Sequence, residues 1–168
     1  SAHYIDIAPL DRGENVRREI CLTLCEMGIR PESSHHEDGP GQNEIDFRYG
    51  DALSAADNAV TFASVVRTIA MRNGLWADFT PKPLPEESGN GMHVNLSLAT
   101  PHTEEARDAF MAGLMEHIAE ITAFLNPVPA SYARLGEHKA PRYVTWSPEN
   151  RSQLIRIPAA KGEFERIE

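Results

Sequence analysis

Two segments alternate strictly between polar and apolar residues, the two-residue period of a half-buried strand. In residues 44–49, Glu44, Asp46 and Arg48 share one face and Ile45, Phe47 and Tyr49 the other. In residues 93–98, His93, Asn95 and Ser97 lie opposite Val94, Leu96 and Leu98. Three other stretches follow the helical period. Val16, Ile20, Leu24 and Met27 predict a helix over residues 15–27 that Gly28 ends. Ala59, Val60, Ala63, Val66, Ile69 and Ala70 predict a second, capped by Ser54 or Asp57 and running to Arg72, with Asn73-Gly74 as its stop. Thr103-Glu104-Glu105-Ala106 opens the longest, whose inward face is Ala109, Phe110, Leu114, Ile118, Ile121 and Leu125 and whose stop is Asn126-Pro127. Further strands are expected at residues 29–37 and 76–80. The simplest architecture for this order is an α+β fold, a mostly antiparallel sheet with helices packed on one side.

The polar face of residues 93–98 carries chemistry. It leaves the turn Gly89-Asn90-Gly91-Met92 and points an imidazole, an amide and a hydroxyl the same way, a metal ligand beside phosphate-binding partners. Upstream, His35-His36-Glu37-Asp38 runs into Gly39-Pro40-Gly41, a turn that lets Glu37 face Glu44 across a hairpin-like connection. Two carboxylates that close repel unless a cation lies between them, and oxygen ligands suit a hard divalent ion such as Mg²⁺ or Mn²⁺. Two solvated strand carboxylates are the other reading, and spacing alone does not choose between them. Arg156, between Ile155 and Ile157, shares a face with Leu154, an odd place for a charge without a partner.

Composition narrows the class. A chain of 168 residues is long enough for one domain with a substantial core, and its net charge of −9 argues against a nucleic-acid or anionic-membrane surface. No apolar run approaches the ~20 residues a membrane span needs. Cys21 and Cys25, four apart on the first helix, read as buried thiols on one face, which suits a reducing compartment and a soluble cytoplasmic protein.

Five segments in order resemble one family. They are His35-His36-Glu37 with Pro40-Gly41-Gln42-Asn43-Glu44-Ile45-Asp46; Lys82-Pro83-Leu84 running to Gly89-Asn90-Gly91-Met92-His93; Asn126-Pro127-Val128-Pro129-Ala130-Ser131-Tyr132-Ala133-Arg134-Leu135; Ala140-Pro141 through Trp146-Ser147-Pro148-Glu149-Asn150-Arg151-Ser152 to Ile155-Arg156-Ile157-Pro158; and Arg166-Ile167-Glu168. The chain resembles glutamine synthetase from about residue 4 to 168, and five segments in the family's order are highly specific. Family members are much longer, so the resemblance implies that residues 1–168 are the central part of the catalytic domain. It implies that the small N-terminal β-grasp domain and a strand bearing further metal carboxylates are absent, with Ser1-Ala2 a tag remnant. The isolated chain is then expected to be inactive.

The activity implied is glutamate–ammonia ligation, a step of nitrogen metabolism. The glutamate side chain attacks the γ-phosphorus of ATP to give γ-glutamyl phosphate, and ammonia displaces phosphate to leave glutamine and ADP. The resemblance carries roles residue by residue. Glu37 and Glu44 match ligands of a metal on the glutamate side, and His93 and Glu168 match ligands of a second metal at the nucleotide phosphates, with Mg²⁺ or Mn²⁺ as the ions. Arg134, Arg151 and Arg156 match positions that bind the glutamate carboxylate and the phosphates, with Arg151 also catalytic; guanidinium stays charged and grips oxyanions with paired donors. Gly89 matches a backbone contact to the glutamate amino group, and Ser97, Asn95 and Arg166 match nucleotide contacts. A homo-oligomer with active sites between subunits is implied as well.

Two positions depart from the family pattern. Asn95 stands where many relatives carry a second histidine; it can hydrogen-bond phosphate but cannot carry a proton. Lys139 aligns with a flap glutamate that deprotonates ammonium, and Glu137, in a segment one residue shorter than usual, is the candidate replacement. Two alternatives stay open: a γ-glutamyl ligase for an organic amine or polyamine, and a non-catalytic binding or regulatory module.

Overall fold

The computed structural model describes residues 2–99, 102–136, 139–159 and 165–168. The chain forms two compact units, Ser1–Asp78 and Phe79–Glu168.

The first unit contains α1 (Glu14–Glu26), β1 (Pro31–His36), β2 (Asn43–Phe47) and α2 (Ala52–Arg72). Ile20 and Leu24, one turn apart on α1, meet Ile29 and, on α2, Val65 and Ile69 in a buried core, with Val16, Ile45, Phe47, Phe62 and Val66 around it. Gly28 takes φ +85°, which a side chain would resist, and the Ile29 N–H then reaches back to the Leu24 carbonyl at 2.9 Å. That turn delivers the chain into β1. The strands pair antiparallel, with His35 opposite Glu44 and His36 opposite Asn43, and α1 packs on both strands and on α2. This is the expected α+β arrangement of helices against an antiparallel hairpin.

Several expectations shift by a residue or a turn. The cap of α2 is Asp51 rather than Ser54 or Asp57; its extended backbone lets the carboxylate accept the Ser54 N–H at 3.0 Å. The buried stripe of α2 turns toward Phe62, Val65, Ile69 and Ala70, and Val60 is 71 % exposed, because α1 approaches from the side that Val65 faces. Met27 and Tyr49 are exposed, lying just past the ends of α1 and β2. Cys21 is half-buried and burial pushes its thiol pKa up, whereas Cys25 is exposed, so the two thiols do not share a buried face. Ile69, 2 % exposed, is expected to lose about 1 kcal/mol on Ile69→Val by urea unfolding; no measurable loss would show that this core is not tightly packed.

The second unit contains α3 (Glu104–Leu125), α4 (Pro129–Arg134), β3 (Trp146–Ser147) and β4 (Ile155–Arg156). Thr103 caps α3 by accepting the Ala106 N–H at 3.2 Å. Met111, Ile155 and Ile167 form the core, ringed by Leu96, Leu114, Met115, Leu154 and Ile157. The inward face of α3 is thus rotated from the expected one: Met111 is buried while Ala109, Phe110 and Leu125 are exposed. Among the described residues, residues 93–98 pair only at Leu96, which bridges Ile167 antiparallel, and residues 76–80 are not strand. Alternation reports which side chains share a face; a strand also needs a neighbour's N–H and C=O groups. β3 and β4 pair in parallel. Among the described residues no helix is long and apolar enough to cross a membrane.

Candidate functional site

In the first unit, donor atoms of His35, Glu37 and Glu44 all lie within 4.8 Å of one another. The hairpin explains this. His35 and Glu44 are directly opposite, and Glu37 follows His35 by two residues, so the three side chains share a face. The residue facing Glu44 across the ladder is therefore His35, whereas the Glu37 N–H pairs with the Gln42 carbonyl at 2.9 Å. His35 Nε2 is 3.1 Å from Glu37 Oε2, and the Tyr4 ring meets the imidazole edge-on, at 5.6 Å between centroids. His36 points the other way and is buried, its Nδ1 2.6 Å from the Glu37 carbonyl oxygen.

Beneath this cluster lies a buried cation. Arg17 Nη2 donates to Asp11 Oδ2 at 2.5 Å, and the side chains are 7 % and 1 % exposed. The same guanidinium donates to Asn43 Oδ1 at 2.6 Å and Ser34 Oγ at 3.0 Å. It thereby ties the two strands one residue before Glu44 and one before His35. The hydrogen bond from Arg17 holds the Asp11 carboxyl below its ordinary value of 3.8. Sequence reading passed over Arg17, although a charge at position 17 on the same face as Ile20 and Leu24 was the signal.

In the second unit, His93 Nδ1 is 3.3 Å from Glu168 Oε1. The Leu96–Ile167 bridge, with N–H···O distances of 2.8 and 2.9 Å, aligns their segments, and Arg156 and Glu168 exchange backbone hydrogen bonds at 2.7 and 2.8 Å. The Arg156 guanidinium donates to Glu168 Oε2, which supplies the partner its apolar neighbours demanded. Arg166 Nε donates to Asn95 Oδ1 at 2.9 Å; Ser97 is exposed nearby in sequence. The expected ligands His93 and Glu168 are thus together, as are Asn95 and Arg166.

Gly89 and Arg134 are also in contact. The Asn90 N–H closes a loop onto the Pro81 carbonyl at 2.9 Å, and Lys82 Nζ donates to the Glu87 carbonyl at 2.7 Å. A Cβ on Gly89 would stand 2.6 Å from Arg134 Cγ and 2.8 Å from the Pro81 oxygen. Arg134 is half-buried, burial pushes its pKa down, and no acidic side chain pairs with it among the described residues. Arg151 is exposed on the turn between β3 and β4. Glu137 lies outside the described residues. Lys139 is exposed at φ +70°, and the Gly136 N–H to Ala140 carbonyl bond, 3.1 Å, closes its loop.

The donors fit divalent cations chemically: two carboxylates with an imidazole in one unit, and a carboxylate with an imidazole in the other. The whole sequence, residues 1–168, matches the family model for the glutamine synthetase catalytic domain. The chain belongs to the glutamine synthetase family. It is 50 % identical over 179 residues to the glutamine synthetase of Methanosarcina mazei, covering 98 % of this chain and 40 % of that protein. It superposes on Plasmodium falciparum glutamine synthetase with a TM-score of 0.92 at 29 % identity, covering 98 % of this chain and 35 % of the other. GmaS in an ADP complex gives 0.83 at 32 % identity, with 98 % and 42 % covered. The chain therefore spans about two fifths of the length of its curated glutamine synthetase relatives.

Proposed function

We propose that the whole protein is a glutamate–ammonia ligase that makes glutamine through γ-glutamyl phosphate at the expense of ATP. The observation that carries this reading is Arg134: a desolvated guanidinium packed on Gly89 is costly unless an anion completes it, and a substrate carboxylate does so. Gly89 leaves room there for backbone to approach the amino group of the same amino acid. Arg156 and Arg151 serve the carboxylate and the transferred phosphoryl group, while Asn95, Ser97 and Arg166 line the nucleotide. Glu37 and Glu44 would hold one divalent cation, and His93 and Glu168 a second. Such ions, Mg²⁺ or Mn²⁺, supply charge neutralisation at the phosphoryl group when bound. Arg156 holds Glu168 beside His93. The protein acts in this reading as a cytoplasmic homo-oligomer, and the 168-residue chain alone has no ligase activity.

Lys139 favours a second reading, a γ-glutamyl ligase for an organic amine. An ammonium ion needs a carboxylate to attract it and take its proton, and a lysine in that place repels it. With ammonia as substrate, Glu137 is the flap carboxylate. Glu137→Gln in the full-length protein is then expected to lower turnover with ammonia about tenfold, ~1.4 kcal/mol of transition-state stabilisation, while Lys139→Ala leaves or raises it. The assay is ATP-dependent phosphate release with ammonia and with a panel of amines. A silent Glu137→Gln together with loss of turnover in Lys139→Ala, or release with an organic amine alone, would move the second reading ahead; no release with any amine would leave a non-catalytic module.

A further inference from the structure

We infer that Arg107 is a positioning residue for the nucleotide: its ion pair with Glu165 pins the segment that carries Arg166 and so holds the Arg166 guanidinium where the nucleotide binds. The inference rests on the reading of Arg166 as a nucleotide contact and adds a residue on another element. Side chains alternate along residues 165–168. Glu165 and Ile167 turn toward α3, where Arg107 and Met111, one turn apart on the same helix face, receive them as an ion pair and as part of the buried core. Arg166 and Glu168 face the other way, toward Asn95 and His93. The pin is geometrically strict. Arg107 Nη1 donates to Glu165 Oε1 at 2.7 Å, while Nε and Nη2 both donate to Asp108 Oδ1, at 3.0 and 2.9 Å, which fixes the plane of the guanidinium. His102 Nε2 stands 4.0 Å from the other oxygen of Glu165. Arg107 lies in the first turn of α3, which the Thr103 cap secures, and the paired side chains are only 19 % and 25 % exposed, so solvent screens them incompletely. On either side of the Leu96–Ile167 bridge the segment is held differently: Glu168 by its backbone exchange with Arg156, Glu165 by Arg107. Loss of the pin therefore frees the end that carries Arg166 and leaves the Glu168 end in place.

The test is calorimetric titration of the full-length protein with ADP in the presence of Mg²⁺, beside the glutamate KM from phosphate release. Arg107→Met is expected to weaken ADP about tenfold and to leave the glutamate KM within about twofold, and Glu165→Gln to do the same. Arg107→Lys keeps a charged donor for Glu165 and should stay within about threefold of the parent. A loss of packing alone would not divide the two substrates in this way. The decisive measurement is the pair of changes together: in an Arg166→Ala background, Arg107→Met should weaken ADP by less than about twofold further, because the residue through which it acts is gone. Parent-like ADP binding in Arg107→Met, an equal loss for glutamate, or a full tenfold loss added on top of Arg166→Ala overturns the inference. If Arg107→Met fails to fold, Glu165→Gln decides by the same criteria. Arg166→Ala alone separates the two levels. Unchanged ADP affinity in that variant means that the reading of Arg166 has failed and the inference with it, whereas weakened affinity there with parent-like binding in Arg107→Met means that only the role of Arg107 has failed.

Discussion

Gly89→Ala in the full-length protein is expected to lower kcat/KM for glutamate about a hundredfold, most of it through a higher glutamate KM, with the KM for ATP little changed. The reason is steric and local. The added methyl would stand 2.6 and 2.9 Å from the Arg134 stem and 2.8 Å from the Pro81 carbonyl. Arg134 is flexible and Pro81 is not, because the Asn90 N–H holds its oxygen at 2.9 Å. The side chain therefore yields, and the guanidinium read as the glutamate carboxylate's partner leaves its seat. Gly91→Ala makes a useful comparison: its nearest contact is the Arg134 guanidinium at 3.0 Å, then His93 Nε2 at 3.4 Å, and a milder loss is expected. Near-normal glutamate kinetics in Gly89→Ala would remove Arg134 from the substrate site.

Arg17→Met is expected to be the most destabilising of these substitutions, costing about 3–5 kcal/mol because it leaves Asp11 buried without its cation. At that size the apparent Tm falls by roughly 10 °C or more. Three partners lose their donor at once: Asp11, Asn43 and Ser34. The double variant Asp11→Asn/Arg17→Met removes the uncompensated charge and is expected to regain part of the loss. A single-variant loss below about 1 kcal/mol would show that the pair is not stabilising. The pair also sets a pH dependence. The folded Asp11 pKa lies below its ordinary 3.8, so its contribution is fully present above that value and is lost as pH falls through the folded pKa. Acid unfolding of Arg17→Met should lack this component.

The pattern of residues carried the element types well and their partners poorly. Both long helices and α1 were legible because each presents apolar residues at helical spacing between a polar start and a Gly or Pro stop. The rotation of α3 was not, since Met111 and Phe110 are equally apolar and only the positions of Ile155 and Ile167 decide which is covered. The same holds for the cap of α2, where Asp51, Ser54 and Asp57 are all competent and the chain's approach from β2 selects Asp51.

For the candidate site, the order of five motifs pointed to the family, and the resemblance then assigned roles to Glu37, Glu44, His93, Glu168, Gly89 and Arg134. Sequence also flagged Arg156 as a charge in need of a partner. What it could not supply was the partner, Glu168, twelve residues away and brought back by a backbone pairing. Nor could it decide that His35 rather than Glu37 stands across from Glu44, or that a helix arginine ties both strands beneath them. Local sequence thus determined which side chains share a face, through the fixed periods of helix and strand. Only the tertiary structure determined which faces meet, because strand register and helix rotation are settled by packing between residues far apart along the chain.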